Sequence, residues 1–402
     1  MLLIKKIVIS VYITTIFPLN LSLIDYHDPQ ANHMLDAEII GNTLIVSAML
    51  QGIELYEILD DGTINHQANF RLSQGGQGGG QGGTKANCVE AINDYAYFTS
   101  SNGLYIVDIS NSASPTSLGR VNGTNNYILE NLDAGNDFLA VAAHEDGVLI
   151  YDISNPGNLS LVNVLPADNA WCVRILNGYA YVGDNQNIKI YNLLDESNFS
   201  LVNVVETTNA IKDIALLDSL MYVAIGSDGV NVYDTTNPEE PILLDNFDTN
   251  TMANRISPFE GKLAVSDWDD VDILEWNGID LLRVGYKNTG NRTMAIATKN
   301  NFIYSAEWAS VQVFSFGQIV GPDIDLSTLE LNYPFVDVGD SFSMFFDVIN
   351  NGLSDLIIND DYTTNNHFEV IGGLNELQPG ESQAIEIIYN ASSENSAGVY
   401  RI

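Results

Sequence analysis

Cysteine is nearly absent, and two thiols in 402 residues exclude a disulfide-stapled scaffold and a cysteine-based structural zinc site. Positive charge is scarce as well: 15 Lys and Arg face 52 Asp and Glu, a formal charge of -37. Such a surface repels phosphate backbones and anionic headgroups, so nucleic acid and membrane surfaces are not expected partners. Beyond the amino terminus, apolar runs are short and broken by Gly, Asn and Asp, which leaves nothing resembling a membrane-spanning helix. Long helix-period stretches are missing too, and no paired-His metal spacing occurs among the five His. What remains is core-forming: 46% of residues are hydrophobic and only 17% charged, too apolar for an acidic disordered chain.

At the amino terminus, Lys5 and Lys6 precede the uncharged run 7–17, the basic-then-apolar order of an export signal. Residues 1–18 therefore read as a signal peptide, with cleavage between about Phe17 and Leu21, although no small-x-small site marks it. This places the mature chain outside the cell or at the cell surface, in a bacterial setting, with no membrane insertion after removal of the signal. A membrane anchor is the competing reading.

Fixed-period self-similarity decides the fold. Gly103-Leu-Tyr-Ile-Val-Asp108, Gly147-Val-Leu-Ile-Tyr-Asp152, Ile188-Lys-Ile-Tyr-Asn192, Gly229-Val-Asn-Val-Tyr-Asp234, Val271-Asp-Ile-Leu-Glu275 and Val311-Gln-Val-Phe-Ser315 recur at intervals of 44, 40, 42, 41 and 40 residues. An earlier copy ends at Glu57, 51 residues before Asp108, a distance lengthened by the glycine-rich insert 74–83. Each copy holds short β-branched and aromatic runs between turn residues; in the third they are 128–132, 138–143, 148–153 and 159–165. Four short strands every forty residues or so are the signature of a β-propeller blade, because a lone small sheet cannot bury both faces and a ring of sheets can. The seventh copy stops after its third strand, at Phe316-Gly317. Its fourth is supplied from the other end: Asn20-Leu-Ser-Leu-Ile-Asp25 repeats the pattern Asn158-Leu-Ser-Leu-Val-Asn163. The predicted fold is all-β: a seven-bladed β-propeller over 19–317 closed by strand 21–26, a linker at 318–322, and a partial immunoglobulin-like β-sandwich over 323–402. The last assignment rests on Ser341-Phe-Ser-Met-Phe-Phe-Asp-Val-Ile-Asn350, an Asn-Gly turn, and Gln378-Pro-Gly-Glu381 before Gln383-Ala-Ile-Glu-Ile-Ile-Tyr389.

The segments Leu104-Tyr-Ile-Val-Asp-Ile-Ser-Asn111 and Val148-Leu-Ile-Tyr-Asp-Ile-Ser-Asn-Pro156 resemble the LVIVD repeat family of exported and cell-surface propellers. The resemblance covers about 19–317 and is weakest in the sixth copy, where Trp276-Asn-Gly-Ile-Asp280 replaces the Ser-Asn-Pro turn. It implies extracellular placement and a binding or scaffolding role, and supplies no catalytic residue; the Gly-His and Trp-Asp marks of WD40 blades are missing. The carboxyl-terminal pattern resembles the choice-of-anchor D and related cell-surface immunoglobulin-like modules. Those continue for at least one strand more, which implies an incomplete module and a longer exported protein.

Several motifs dissolve on inspection. Asp or Asn at 108, 152, 192 and 234 would suit calcium, but at a strand end before Ser-Asn-Pro they read as turn formers. Gly78-x-Gly80-x-x-Gly83 matches a dinucleotide fingerprint by composition only, and reads as a flexible loop. Ser227 misses the nucleophile-elbow pattern by its first residue. Topology says more. Loops joining second to third strands share a face with the loops between blades, which collects 100–103, 144–147, 183–187, 227–229, 267–270 and 307–310. The ligand-binding candidates there are His144, Glu145, Asp146, Asp184, Asp228, Asp267, Trp268, Asp269, Asp270, Glu307 and Trp308, since tryptophans beside carboxylates stack on sugars or grip cations. Packing of the two Trp between blades is the bland alternative. Counting back along the inner strands brings Asp36, Glu38, Glu90, Glu130, Arg174, Asp213 and Arg255 to the central channel. Cys88 and Cys172 fall two blades apart, beyond the roughly 7 Å reach of a bridge, and are expected to be free thiols.

The leading expectation is a non-catalytic exported or cell-surface binding or scaffold protein, without cofactor, metal or catalytic residues. It recognises an extracellular protein or glycan through the acidic loop face, as a monomer or part of a longer chain. The alternative is a hydrolase or lyase acting on an extracellular polymer, with Asp36, Glu38, Glu90 and Arg255 at the channel mouth. A third reading makes the acidity an adaptation to salty surroundings.

Overall fold

A computed structural model of the chain describes residues 21–28, 33–49, 52–71, 86–100, 102–135, 137–195, 198–317, 324–327, 331, 333–334, 336–350, 352, 354–357, 367–371 and 376–391. The segments read from the sequence as a signal peptide (1–18), an insert (74–83) and a linker (318–322), and the end of the expected sandwich, lie outside them. The chain divides into two compact units, one spanning 21–318 and the other containing 319–402.

In the larger unit, period-two alternation bounded by Gly, Asn and Asp turns gives antiparallel strands throughout; among the described residues the only helical element is the 3-10 turn Thr124–Asn126. Five sheets have four strands in chain order. The first consists of Asp36–Ile40, Thr43–Ser47, Ile53–Ile58 and Ile64–Phe70. The others have innermost strands Val89–Ile92, Leu132–Gly135, Ala170–Leu176 and Asp213–Leu217. A six-stranded sheet follows, in the order Leu21–His27, Val311–Phe316, Phe302–Glu307, Leu281–Lys299, Lys262–Trp276 and Ala253–Phe259. Two of its strands are long because each serves two repeats. Residues 262–267 pair with Ala253–Phe259 and 270–276 with the first part of Leu281–Lys299, whose last part pairs with Phe302–Glu307. Bulges at 268/270 and 293/295 redirect these strands where other copies use open turns, and Trp268 pairs there with Thr293.

Contacts pass from Asp36–Ile40 to Val89–Ile92, then to Leu132–Gly135, Ala170–Leu176, Asp213–Leu217 and Ala253–Phe259, and through Leu281–Lys299 back to Asp36–Ile40. The sheets thus surround a common axis, an all-β arrangement consistent with a β-propeller. The core lies in layers between neighbouring sheets. One layer joins Tyr97, Leu104 and Ile106 to Leu139, Leu149 and Tyr151, and another joins Leu44, Val46 and Tyr56 to Tyr304, Val311 and Val313, first sheet to last. In the third repeat the inner strand begins at Leu132, later than the expected run 128–132, because the single 3-10 turn and residues 127–131 precede it.

Leu21–His27 pairs antiparallel with Val311–Phe316, from Leu21 opposite Phe316 to His27 opposite Val311. Leu21 is fully buried in a cluster with Phe259 and Phe314. The same strand reaches the first sheet: Asp25 Oδ2 accepts the Ile64 amide at 2.9 Å, and the His27 ring stacks on His66 at 5.6 Å.

In the smaller unit, Ile324–Leu326, Ser341–Asn350, Ser382–Asn390 and Phe368–Ile371 form one antiparallel sheet in that order. Its apolar face gathers Val348, Phe368, Ile385 and Ile387 with Leu356 and Leu377, which pair in an isolated bridge. Among the described residues no helix is long and apolar enough to cross a membrane.

Candidate functional site

The strand-end carboxylates are turn formers. Asp108 Oδ1 accepts the Ser110 hydroxyl at 2.6 Å and its amide at 3.0 Å, Asp152 accepts the Ser154 amide at 2.7 Å, and Asp234 accepts the Thr236 hydroxyl at 2.6 Å. These bonds hold all three carboxyls below their ordinary range. Among the described residues no group of His, Cys, Asp and Glu is arranged to hold a metal ion.

Inside the ring, a cavity of about 270 Å³ is walled by Asp36, Glu38, Glu90, Asp133, Arg174, Asp213 and Arg255 among others. Most of these polar groups tie one inner strand to the next. Asp36 Oδ2 accepts the Val89 amide at 3.0 Å and the Cys88 thiol at 2.6 Å; Asn131 Oδ1 accepts the Val173 amide at 3.0 Å. Asp133 Oδ2 accepts the Ile175 amide at 2.6 Å, and Asp213 Oδ2 the Ile256 amide at 3.0 Å. Ion pairs brace the clips: Arg174 donates to Asp213 at 2.7 Å, and Arg255 Nε lies 3.5 Å from Asp36. A buried amide left without its acceptor is costly, so these carboxylates hold the ring together whatever else they do.

Asp213→Ala is therefore expected to cost about 3 kcal/mol, because it leaves the Ile256 amide without its acceptor and takes from Arg174 the nearer of its two carboxylates. Asp213→Asn, which keeps an acceptor, should cost less. Urea titration measures both, and an alanine variant as stable as the parent would remove the clip from the account.

Among the described residues, Glu38 and Glu90 make no clip to the next strand. Burial pushes Glu38 up to about 7, and burial, then the charge of Glu38, raises Glu90 well above the usual range. Burial carries Asp133 to about 6 despite Arg174. Asp133 is a wall residue that the sequence did not assign to the channel. Glu130, expected in the channel, is not in this wall: it precedes the shifted inner strand, and its Oε2 lies 3.4 Å from His144 Nε2. Both cysteines are free and buried; burial pushes the Cys172 thiol up to about 12.

On the loop side, turns between second and third strands bond to the start of the next sheet, as in the bridges His144 to Ala170 and Gly226 to Ala253. The acids expected to form an exposed rim divide here. Asp184, Asp267 and Glu307 share one register, the last residue before the turn, and each is 0% exposed. Each points inward because the neighbouring inter-sheet connection needs an acceptor. Asp184 takes the Asp168 and Asn169 amides and Lys189, Asp267 takes the Thr249 hydroxyl at 2.9 Å, and Glu307 takes Thr289 and Thr293. Asp270 is also buried, bonded to the Tyr286 hydroxyl at 2.8 Å. Burial opposes ionisation of Asp184, but Lys189 and the amides hold its carboxyl low; Asp267, Asp270 and Glu307 are raised by burial, the last two to about 6 and about 7.

Glu145 and Asp146 are exposed, and Asp228 and Asp269 half-exposed. Trp268 and Trp308 are half-buried, and the Arg292 guanidinium lies over both rings, 4.9 and 5.5 Å from their centroids. His33 meets Trp308 edge-on at 4.3 Å. Trp171, which sequence reasoning missed, carries Lys212 over its ring at 5.1 Å and touches His144 edge-on at 5.5 Å. Its position at the start of an inner strand could have flagged it.

Comparison with known proteins agrees with the repeat architecture. Residues 83–123, 131–165, 167–207 and 210–249 each match the LVIVD repeat model. A chain of the crystal structure of the mitotic checkpoint complex superposes with a TM-score of 0.59 at 12% identity, over 78% of this chain and 98% of that one. The computationally designed protein Ika8 superposes with a TM-score of 0.53 at 10% identity, over 74% of this chain and 100% of that one. Likeness at such identities concerns the fold alone. No curated protein matches the sequence. The sheets, their order and the matched stretches together make this chain a carrier of four LVIVD repeats within an all-β, propeller-like unit.

Proposed function

We propose that the chain is an exported or cell-surface binding protein, without catalysis, whose seven-bladed ring presents its loop face to an extracellular protein or glycan. The smaller unit, in this reading, is an immunoglobulin-like spacer of the choice-of-anchor D kind. The observation that carries the reading is the division of labour among polar groups. Most channel carboxylates are engaged between strands, whereas the loop side keeps three half-buried tryptophans with basic side chains over their rings. Flat aromatic surface beside polar groups is what recognition of sugars and peptides uses.

Glycan and protein arrays probed with the full chain should return a ligand whose binding falls at least about tenfold in a Trp268→Gly, Trp308→Ala double variant. Arrays without any such ligand would count against the reading. Glu38 favours a second one: a half-buried carboxyl near pH 7 on a cavity wall suits a general acid acting on an extracellular polymer. Turnover of a polysaccharide or ester panel that disappears in Glu38→Gln would establish it over binding alone.

A further inference from the structure

We propose that Arg292 and the two tryptophans beneath it form a site for a carboxylated sugar, such as a uronate unit of an acidic polysaccharide. The proposal rests on the reading of the loop face as a binding surface and names its ligand class.

Charge makes Arg292 unusual. The chain has 52 acidic residues; Arg255 and Arg283 each pair with one of them and Arg174 with two. Among the described residues no carboxylate pairs with Arg292, although its side chain is exposed. Among the described residues Arg71 and Arg120 also lack an ion pair, but neither lies over an aromatic ring. The guanidinium engages both indoles through its charge, and with no carboxylate of the described residues paired to it, its N–H groups can serve a bidentate acceptor. The backbone is fixed as well: the Trp308 amide donates to the Arg292 carbonyl at 2.8 Å, and Asn291 Oδ1 accepts the Arg292 amide at 3.1 Å. A carboxylate held there sets the rest of its sugar ring beside the remaining indole surface, which favours C–H faces.

Backbone strain points the same way. Trp268 has φ 53°, a left-handed conformation that costs a bulky residue about 1–2 kcal/mol. The equivalent turn position in another sheet is Asn185, φ 56°, which tolerates it. A tryptophan there carries a local backbone cost that Asn185 does not. Nearby acids leave room for an anion, since of Asp267, Asp269, Asp270 and Glu307 only Asp269 reaches the surface.

The test titrates oligogalacturonate into the full chain, read by tryptophan fluorescence and calorimetry, with the carboxyl-reduced oligomer and an arginine-rich peptide as comparators. Oligogalacturonate should quench the fluorescence and bind roughly tenfold or more tightly than its reduced form. Arg292→Gln should remove that preference, Arg292→Lys should weaken binding, and Trp268→Gly should weaken it without lowering the thermal midpoint. Equal affinity for the reduced oligomer overturns the proposal, as does a peptide that binds Arg292→Ala better than the parent. If another glycan or protein depends on Trp268 and Trp308 but not on Arg292, this proposal fails and the binding reading stands. If nothing binds, both fail.

Discussion

Deleting residues 1–27 is expected to abolish cooperative folding of the ring unit, whereas deleting 1–18 should leave its stability unchanged. Leu21–His27 is the outer strand of the sheet that ends in Val311–Phe316, and it also touches the first sheet. Losing it exposes the pocket of Leu21, whose burial contributes about 2 kcal/mol, and the Ile64 amide, whose charged acceptor contributes about 2 kcal/mol more. The unpaired backbone of Val311–Phe316 and the loss of the His27 ring, which meets Tyr56 edge-on and stacks on His66, add to this. The total, on the order of 5 kcal/mol or more, is comparable with the whole stability of an ordinary domain. Urea denaturation and limited proteolysis of the two deletions measure it, and a peptide covering 19–28 added in trans should restore part of the loss. An unchanged midpoint for the longer deletion would mean that the ring does not depend on its closing strand.

Lowering the pH from 8 to about 5 is expected to stabilise the protein, the reverse of the usual acid response. Burial raises Asp272 and Glu307 to about 7 and Asp270 to about 6, from ordinary values near 4. For a carboxyl whose folded pKa exceeds its unfolded one, folding binds protons. Its ionisation penalty is complete above the folded pKa and disappears as the pH falls towards the unfolded value. Each tenfold difference in proton affinity corresponds to about 1.4 kcal/mol, so these three buried groups support a gain on the order of 5 kcal/mol. Glu38 and Glu90 act in the same direction. Burial lowers His27, which opposes the gain as the pH falls below about 6.5, and Asp184, held low by Lys189, starts to lose stability below about 4. Urea titrations at pH 5, 6.5 and 8 read the slope directly. Glu307→Gln should flatten it, which separates this cause from general relief of the chain's negative charge. A stability that is level or rises between pH 5 and 8 would refute the argument.

The repeat was legible because its punctuation is local. Asp108, Asp152, Asn192 and Asp234 each end a third strand and bond to the residue two places on, so spacing alone marks the unit. The inner-strand acids were legible by register, but their work was not. Whether Asp36 or Asp213 awaits a ligand or accepts an amide 53 or 43 residues away depends on the neighbouring strand. The same limit hid the inward turn of Asp184, Asp267 and Glu307, whose partners belong to the preceding connections. It also hid Asp133 and displaced Glu130, because a 3-10 turn shifted one strand start. Arg292 carried no sequence signal at all: an arginine beside a strand bulge becomes notable only when two tryptophans from separate repeats lie beneath it.

The pairing of Leu21 with Phe316 puts both ends of the ring unit at the same margin of one strand pair. Tension applied between those ends peels the pair apart, one rung after another, and never loads its rungs together as a shearing pull would. The ring is consequently a weak link in any tether that runs through both of its ends. It bears a load best when only one of its ends is fastened and the opposing force does not enter through the other.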